Sequence, residues 1–352
     1  MIVAENARPP IDGGTVLITG ASAGIGRELA VQLAPRARTL ILLARRAGRL
    51  EELWTNLVAE HPQLQILTLP VDLSDETDVS RAIAEAGEQP EAIDVLVNNA
   101  GVGDQALADQ ADWTRVRNVL RTNVLAVAQL TTALVPAMVN RGRGGVLNMG
   151  SGAGLTVMPA SAAYSASKHF MDGFSEALRA DLTGTGVVVT QVCPGPVDSE
   201  FDQLAGSAGG MTGGPPQFLR ISAAQCAREA LAGFDRGVPL VFPGRAYRIA
   251  MRALPLLPRE LTRRQAARSA TRLRSTAKDA TKAPNPPEGH VVSTIIVMGY
   301  GMGLPINVIV FGWVLVLAAK KKRREAALPG WLLIVNLIVF CFQILLLISH
   351  RK

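Results

Sequence analysis

Seven short apolar runs, separated by longer stretches of helical pattern, restrict this 352-residue chain to few folds. The runs are residues 15–19, 39–44, 64–69, 94–98, 145–149, 187–193 and 239–242. A strand with one wet face alternates apolar and polar residues, whereas a strand covered on both faces reads as a continuous apolar run. These runs are of the second kind. Helix-like segments such as 24–34, 48–60 and 161–182 lie between them. Strands alternating with helices in this way predict a parallel sheet clothed on both sides, a doubly wound α/β fold. Such a domain takes about 250 residues, so the chain has room for an appendage.

Charge divides the chain at about the same place. The net charge is +7, but residues 1–258 carry 21 Lys/Arg against 25 Asp/Glu, while residues 259–352 carry 15 against 4. All the excess positive charge therefore sits in the tail, beside its apolar runs, and mean hydropathy is high at +0.23. Basic residues flanking apolar segments suit an anionic membrane surface, and they argue against a nucleic-acid partner. Cys193, Cys226 and Cys341 match no disulfide or metal spacing, and the four histidines are scattered. No metal site is expected, and Cys193 and Cys341 read as small buried hydrophobes. The opening MIVAENARPPIDGG lacks a basic region followed by an apolar core, so it does not read as a signal peptide.

The first strand runs into Thr19-Gly20-Ala21-Ser22-Ala23-Gly24-Ile25-Gly26, ahead of a helix. Glycines at a strand-to-helix turn permit a tight bend and close approach of backbone to a pyrophosphate, with helix N–H groups aimed at it. The fold expectation becomes a Rossmann-type sheet, with Thr19, Gly20, Ser22, Gly24, Ile25 and Gly26 as its cofactor cradle. The T-G-x-x-x-G-x-G spacing resembles that of the short-chain dehydrogenase/reductase family. Further matches follow in order: Asp72 in VDLS, Asn98-Asn99-Ala100-Gly101, and Pro194-Gly195-Pro196-Val197-Asp198-Ser199. The resemblance implies that Asp72 contacts the adenine and that Asn98, Ala100 and Gly101 lie along the cofactor. It likewise implies that Pro194, Gly195, Val197 and Ser199 hold the nicotinamide end, Ser199 standing for the family's usual threonine. The second strand ends in Ala44-Arg45-Arg46, without the acid that would pair with NAD's ribose hydroxyls. An arginine there attracts a 2′-phosphate, so Arg45 predicts NADPH, with NADP preferred over NAD.

The most specific feature is Tyr164-Ser165-Ala166-Ser167-Lys168. Residues four apart share a helix face, so Tyr164 and Lys168 can both enter the cofactor cleft. A free tyrosine titrates near ~10, and a neighbouring ammonium favours its phenolate, which fits it for proton transfer at a carbonyl. Ser151, 13 residues before Tyr164, would steady the substrate oxygen. Asn123 matches the family asparagine of a proton relay to the lysine. Taken singly, Ser151 reads as a loop serine and Asn123 as a capping residue, but five motifs in order on the right elements outweigh those readings. His169, about 100° round the helix from Lys168, reads as structural.

Past a basic segment and proline-rich linker (259–290), a tail (291–352) carries two uncharged apolar stretches, 291–319 and 330–349, of 29 and 20 residues. About 20 apolar residues span a bilayer core. The second stretch is expected to span it, whereas Gly299, Gly301, Gly303 and Pro305 make the first kinked or re-entrant. The expectation is thus a membrane-anchored reductase: residues 1–258 catalytic and cytoplasmic, the tail multi-pass or hairpin-anchored, the substrate an apolar small molecule or lipid. Membrane-attached family members such as 3-ketodihydrosphingosine reductases have a similar layout. The resemblance also implies a homodimer or homotetramer. The rival readings are an alcohol or sterol dehydrogenase working oxidatively with NAD and a non-catalytic redox-sensing membrane scaffold.

Overall fold

The computed structural model describes residues 8–87, 93–201, 217–256 and 259–280, all within one compact unit. Residues 202–216, the proline-rich linker and both tail stretches lie outside the described residues, as does Cys341. Nine strands are described: β1 (Thr15–Thr19), β2 (Thr39–Ala44), β3 (Gln65–Pro70), β4 (Val95–Asn98), β5 (Gly144–Met149), β6 (Val187–Val192), β7 (Val197–Asp198), β8 (Ile221–Ser222) and β9 (Leu240–Val241). All seven expected strands are present, with ends displaced by at most a residue or two. β7 and β8, two residues each, form a small pair that carries too little pattern to be read from sequence. The helices are α1 (Gly24–Leu33), α2 (Ala47–Glu60), α3 (Glu76–Ala86), α4 (Trp113–Leu120), α5 (Ala126–Asn140), α6 (Ala162–Asp181), α7 (Ala223–Phe234), α8 (Arg245–Ala253) and α9 (Arg259–Ala280).

The main sheet is parallel throughout, in the order β3-β2-β1-β4-β5-β6-β9. This is the Rossmann-type doubly wound sheet expected. Its two faces can be followed residue by residue, because side chains alternate along a strand. Val16, Ile18, Leu40 and Leu42 join one core with Leu29, Ala30 and Leu33 of α1, Leu50, Leu53 and Leu57 of α2 and Ala230 and Phe234 of α7. Leu17, Ile41 and Leu43 point the other way, into a core with Val79 and Ala82 of α3, Leu130, Leu134 and Met138 of α5 and Leu182. Each fully buried leucine or valine contributes roughly 1.5–3 kcal/mol. The leucines of α2 recur at i, i+3 and i+7, one face of a helix. Side-chain caps fix several helix starts: Asp75 accepts from Thr77 N at 2.8 Å, Asp112 from Thr114 N at 2.6 Å and Ser222 from Gln225 N at 3.1 Å.

Strand order reverses between β1 and β4, opening a crevice at the carboxyl ends of the strands where ligands of such sheets bind. The glycine turn leaves β1 there, and so do Asn98–Gly101 from β4, Ser151 from β5 and Pro194–Ser199 from β6. Between α4 and α5 the chain winds one π-helical turn, Arg121–Leu125, with Asn123 inside it. The resulting helix, Trp113–Asn140, is long and apolar enough to cross a membrane, but half of its most apolar window is buried. Val127, Leu130, Leu134 and Met138 lie in the core, which makes it a core helix of this unit.

Candidate active site

At the glycine turn, Gly20 has φ +69°, and a Cβ there would stand 2.9 Å from Ala100 Cα. Gly24, at φ +54°, would bring a Cβ 3.4 Å from Ser199 Cβ, so the turn faces the loop after β6. A Cβ on Gly26 would overlap Gly20 O and Asn99 Nδ2, which is why α1 can start so close to the strand. Thr19 works as a pin. Its Oγ1 donates to Val97 O (3.2 Å) and accepts from Asn99 N (2.9 Å) and Ala100 N (3.0 Å). Asn99 returns the tie by donating Nδ2 to Thr19 O at 2.8 Å. Thr19 therefore holds the cradle together, and Asn99, which sequence reading left aside, is its counterpart.

The amide nitrogen of Asn98 is also bonded inside the protein. Its Nδ2 donates to Thr131 Oγ1 (3.1 Å) and Asn148 Oδ1 (2.9 Å), and Asn148 passes the chain on to Ser175 Oγ at 2.9 Å. This buried polar strut joins β4, β5, α5 and α6 beneath the cleft. At Asp72, Oδ1 accepts from Ser74 N and Oγ (2.9 and 2.8 Å), and the backbone N–H is held by Asp78.

The arginine that approaches the cradle is Arg46. Arg45 is exposed, whereas Arg46 reaches Ser22 Oγ at 3.4 Å and forms an ion pair with Glu200 at 2.9 Å. Arg49 joins the same carboxylate at 2.6 Å. Together Arg46 and Arg49 hold the Glu200 carboxyl below its ordinary range. Arg45, on which the sequence expectation rests, is exposed, and it is Arg46 that makes the contacts to Ser22 and Glu200. Adjacent residues leaving a strand point to opposite sides, and sequence pattern does not say which side faces the turn.

Lys168 and Asn123 come together at Gly101, with Tyr164 beside Lys168. A Cβ on Gly101 would lie 3.5 Å from Asn123 Oδ1 and 3.6 Å from Lys168 Nζ. Lys168 Nζ stands 5.8 Å from the Tyr164 ring centroid and donates to Met149 O at 2.8 Å. Burial pushes the Lys168 ammonium down to about 8, partly offset by nearby Cys193. Asn123 is fully engaged: Oδ1 accepts from Val102 N, and Nδ2 donates to Val102 O and to Ser167 Oγ (2.9, 2.9 and 3.0 Å). Ser167 Oγ in turn donates to Tyr164 O at 2.7 Å, so Asn123 reaches the catalytic helix through the residue before Lys168. Ser151 Oγ accepts from Ala153 N at 3.1 Å, which leaves its own proton for an oxygen in the cleft. The Phe201 ring tilts against Tyr164 at 5.6 Å. His169 lies on the exposed side of α6, bonded to Ser165 O. Cys193 and Cys226 are both buried, with thiols pushed up to about 12 by burial. Among the described residues no cluster of His, Cys, Asp or Glu is arranged to hold a metal.

The model of short chain dehydrogenases matches residues 14–208, which include every one of these motifs. The chain belongs to the short-chain dehydrogenase family. It is an NAD(P)-dependent oxidoreductase acting on CH–OH and C=O groups. A Myxococcus xanthus oxidoreductase of uncharacterized activity is 43% identical over 189 residues, 53% of this chain and 73% of that one. An NADP-dependent 3-hydroxy acid dehydrogenase of Schizosaccharomyces pombe is 35% identical over 194 residues, 54% and 74% of the two chains. Among solved structures, a Sphingobium yanoikuyae short-chain dehydrogenase in complex with NADPH is 28% identical, with a TM-score of 0.61 over 69% of this chain and 92% of that one. The residues present fit a dinucleotide: positive-φ glycines line the turn, and side chains at Gly24 and Gly101 would intrude on the cleft between it, Ser199 and Lys168.

Two residues near this site escaped sequence reading. Glu200 follows the last motif residue and meets Arg46 across 154 positions. Tyr247 lies in the segment AYRIAMRALPLL, whose composition is largely apolar. In α8, however, Tyr247 and Met251 are buried, Ile249 is exposed, and Arg245 and Arg252 lie outside. A helical phase of Arg at i, i+3 and i+7 was the available signal.

Proposed function

We propose that this enzyme uses NADPH to reduce a ketone to a secondary alcohol on an apolar, lipid-like substrate of the 3-ketosphinganine kind, with residues 1–258 as a cytoplasmic catalytic domain held at a membrane by the tail 291–352. The observation that carries the cofactor choice is Arg46 beside Ser22, where β2 ends, with Arg49 joined to it through Glu200. A guanidinium there complements a 2′-phosphate with charge-assisted hydrogen bonds. The NADP dependence of the yeast relative and the NADPH of the Sphingobium structure support the same choice. The apolar substrate rests on the uncharged stretches 291–319 and 330–349 and on exposed Val157 and Met158 between Ser151 and Tyr164.

When bound, the nicotinamide supplies the hydride. Tyr164 gives its phenolic proton to the carbonyl oxygen, and Ser151 donates a hydrogen bond to that oxygen as negative charge builds. Lys168, kept in a buried pocket near the Tyr164 ring, favours the phenolate that remains. Asn123 and Ser167 fix the backbone carrying both. Proton return to Tyr164 passes along the Lys168 and Asn123 side of the cleft.

Binding of NADPH and NADH to the wild type and to Arg46→Ala tests the cofactor choice. NADPH affinity falls at least tenfold and NADH affinity stays within twofold; equal losses would sink the NADPH reading. A screen of ketones of graded chain length tests the substrate, and equally efficient reduction of a short water-soluble ketone would remove the lipid. One observation favours the NAD-linked, oxidative alternative: Glu200 places a carboxylate against the same arginines and partly cancels their charge. In that reading, Glu200→Gln weakens NADH binding; in ours, it tightens NADPH binding.

A further inference from the structure

Tyr247 stands outside the segment that marks the family, yet it touches both loops that frame the chemistry. Its helix, α8, is anchored at the start. Gly244, at φ +88°, donates its N–H to Glu229 Oε2 at 3.0 Å, and the same oxygen accepts from Arg248 at 2.6 Å. Arg248 Nε also donates to Phe242 O at 3.0 Å. This fixes the phase of α8, and Tyr247 points into the protein with only 6% of its surface exposed. The Phe242 ring meets it edge-on at 6.2 Å.

The Tyr247 ring lies flat against Gly195, where a Cβ would come within 2.6–2.9 Å of three ring atoms. At its far end the hydroxyl lies so close to Gly152 that a Cβ there would overlap Oη, with Cζ at 3.3 Å. Tyr247 Oη donates to Pro194 O at 3.3 Å, and that carbonyl also accepts from Gly152 N at 3.1 Å. One side chain therefore fills the space between the loop presenting Ser151 and the loop Pro194–Ser199. Glycines at 152 and 195 are what let it approach. Burial pushes its phenol well above the usual range, with Cys193 and Tyr164 acting in the same direction, so it stays protonated and a donor.

We propose that Tyr247 is a positioning residue for hydride transfer: as the shared wall of the two loops, it sets the separation between the substrate-holding hydroxyl of Ser151 and the nicotinamide end of the cofactor. The proposal rests on the reading that Pro194–Ser199 holds the nicotinamide. Displacements of about 1 Å in such a frame cost up to about a hundredfold in rate.

Calorimetric titration of the full chain tests it without a substrate. The ligands are NADP and ADP-ribose 2′-phosphate, which lacks only the nicotinamide, or NAD and ADP-ribose if the wild type prefers NAD. In Tyr247→Ala, the dinucleotide binds about tenfold more weakly and the fragment stays within twofold, while Tyr247→Phe, which keeps the ring, stays within about threefold for both. Equal weakening of both ligands, or no weakening of either, overturns the proposal. Ser199→Ala reports on the underlying reading. If it leaves the ratio of the two affinities untouched, the nicotinamide assignment of the loop fails; if it shifts the ratio while Tyr247→Ala does not, the role of Tyr247 fails. Should Tyr247→Ala not fold, Gly152→Ala takes its place. Its methyl collides with the phenolic oxygen and lowers dinucleotide affinity, and adding Tyr247→Phe restores it at least threefold. Absence of restoration overturns the proposal.

Discussion

The two edges of the parallel sheet use polar residues in opposite ways. At the amino edge, charges are paired with one another. Arg36 bridges Asp12 and Asp235 at 2.7 and 2.9 Å, and buried Asp94 accepts from Thr15 N at 3.0 Å with Arg143 and Arg141 at 3.4 and 3.9 Å. At the carboxyl edge, a lysine is buried against a backbone carbonyl and a serine keeps a proton for a ligand. The first edge secures the fold. The second gives up some stability in return for groups held ready, as functional sites commonly do.

The largest expected effect lies at the carboxyl edge. Tyr164→Phe removes the proton donor, and NADPH-dependent turnover falls by about 10²–10⁴-fold while the melting temperature stays within a few degrees. Comparable loss of folding would erase the contrast between the edges. The mirror experiment is Asp94→Ala, which leaves Thr15 N–H unsatisfied and two arginines without their counter-charge. Unfolding free energy drops by about 3 kcal/mol in denaturant titration, and cofactor affinity of the folded protein is unchanged.

Lys168→Met sharpens the comparison through pH. Folding lowers this lysine from its ordinary 10.5 to about 8, so the unfolded chain binds the proton more tightly. The charged form is therefore a cost below about pH 8, and that cost fades as pH rises towards 10.5. The variant is inactive yet gains roughly 2 kcal/mol at pH 7, a burial cost of about 3 kcal/mol less about 1 for the lost bond to Met149 O, and the gain shrinks between pH 8 and 10.5. Parallel wild-type and variant stability curves across that range would show that the lysine carries no burial penalty. The smallest effect is at the rim, where Glu200→Gln frees Arg46 and Arg49 and tightens NADPH about two- to fivefold at low salt; no change would leave the exposed clasp without influence on the cofactor.

The carboxyl edge was far more legible in the sequence than the amino edge. Tyr164, Lys168, Ser151, Asn123 and the glycine turn stand in short patterns whose spacing encodes the geometry, and the structure brings Lys168 and Asn123 together at Gly101 with Tyr164 beside the lysine. Arg36 and Asp235 meet across 199 positions, with no local signature. Thr19 and Asn98 were read as cofactor-binding; the structure ties the Thr19 hydroxyl to backbone and the Asn98 amide nitrogen to Thr131 and Asn148, partners that sequence spacing does not reveal. Arg45 and Arg46 differ in their contacts because one step along an extended chain changes sides. Tyr247 was hidden by a composition that looks apolar until its helical phase is known.

The π-helical turn at Arg121–Leu125 carries a consequence for chain length. Such turns hold one residue more than the regular helix around them. Removing any single residue there would let α4 and α5 fuse into one uninterrupted helix, still buried and still apolar. The flanking helices would keep nearly the same phase, because five residues of π turn and four of α-helix both sweep roughly 400°, but the widened turn that places Asn123 would be gone. Asn123 would leave Val102 and Ser167, and the helix bearing Tyr164 would lose its brace, with no catalytic residue substituted. In this segment, the count of residues is as much a determinant of activity as their identity.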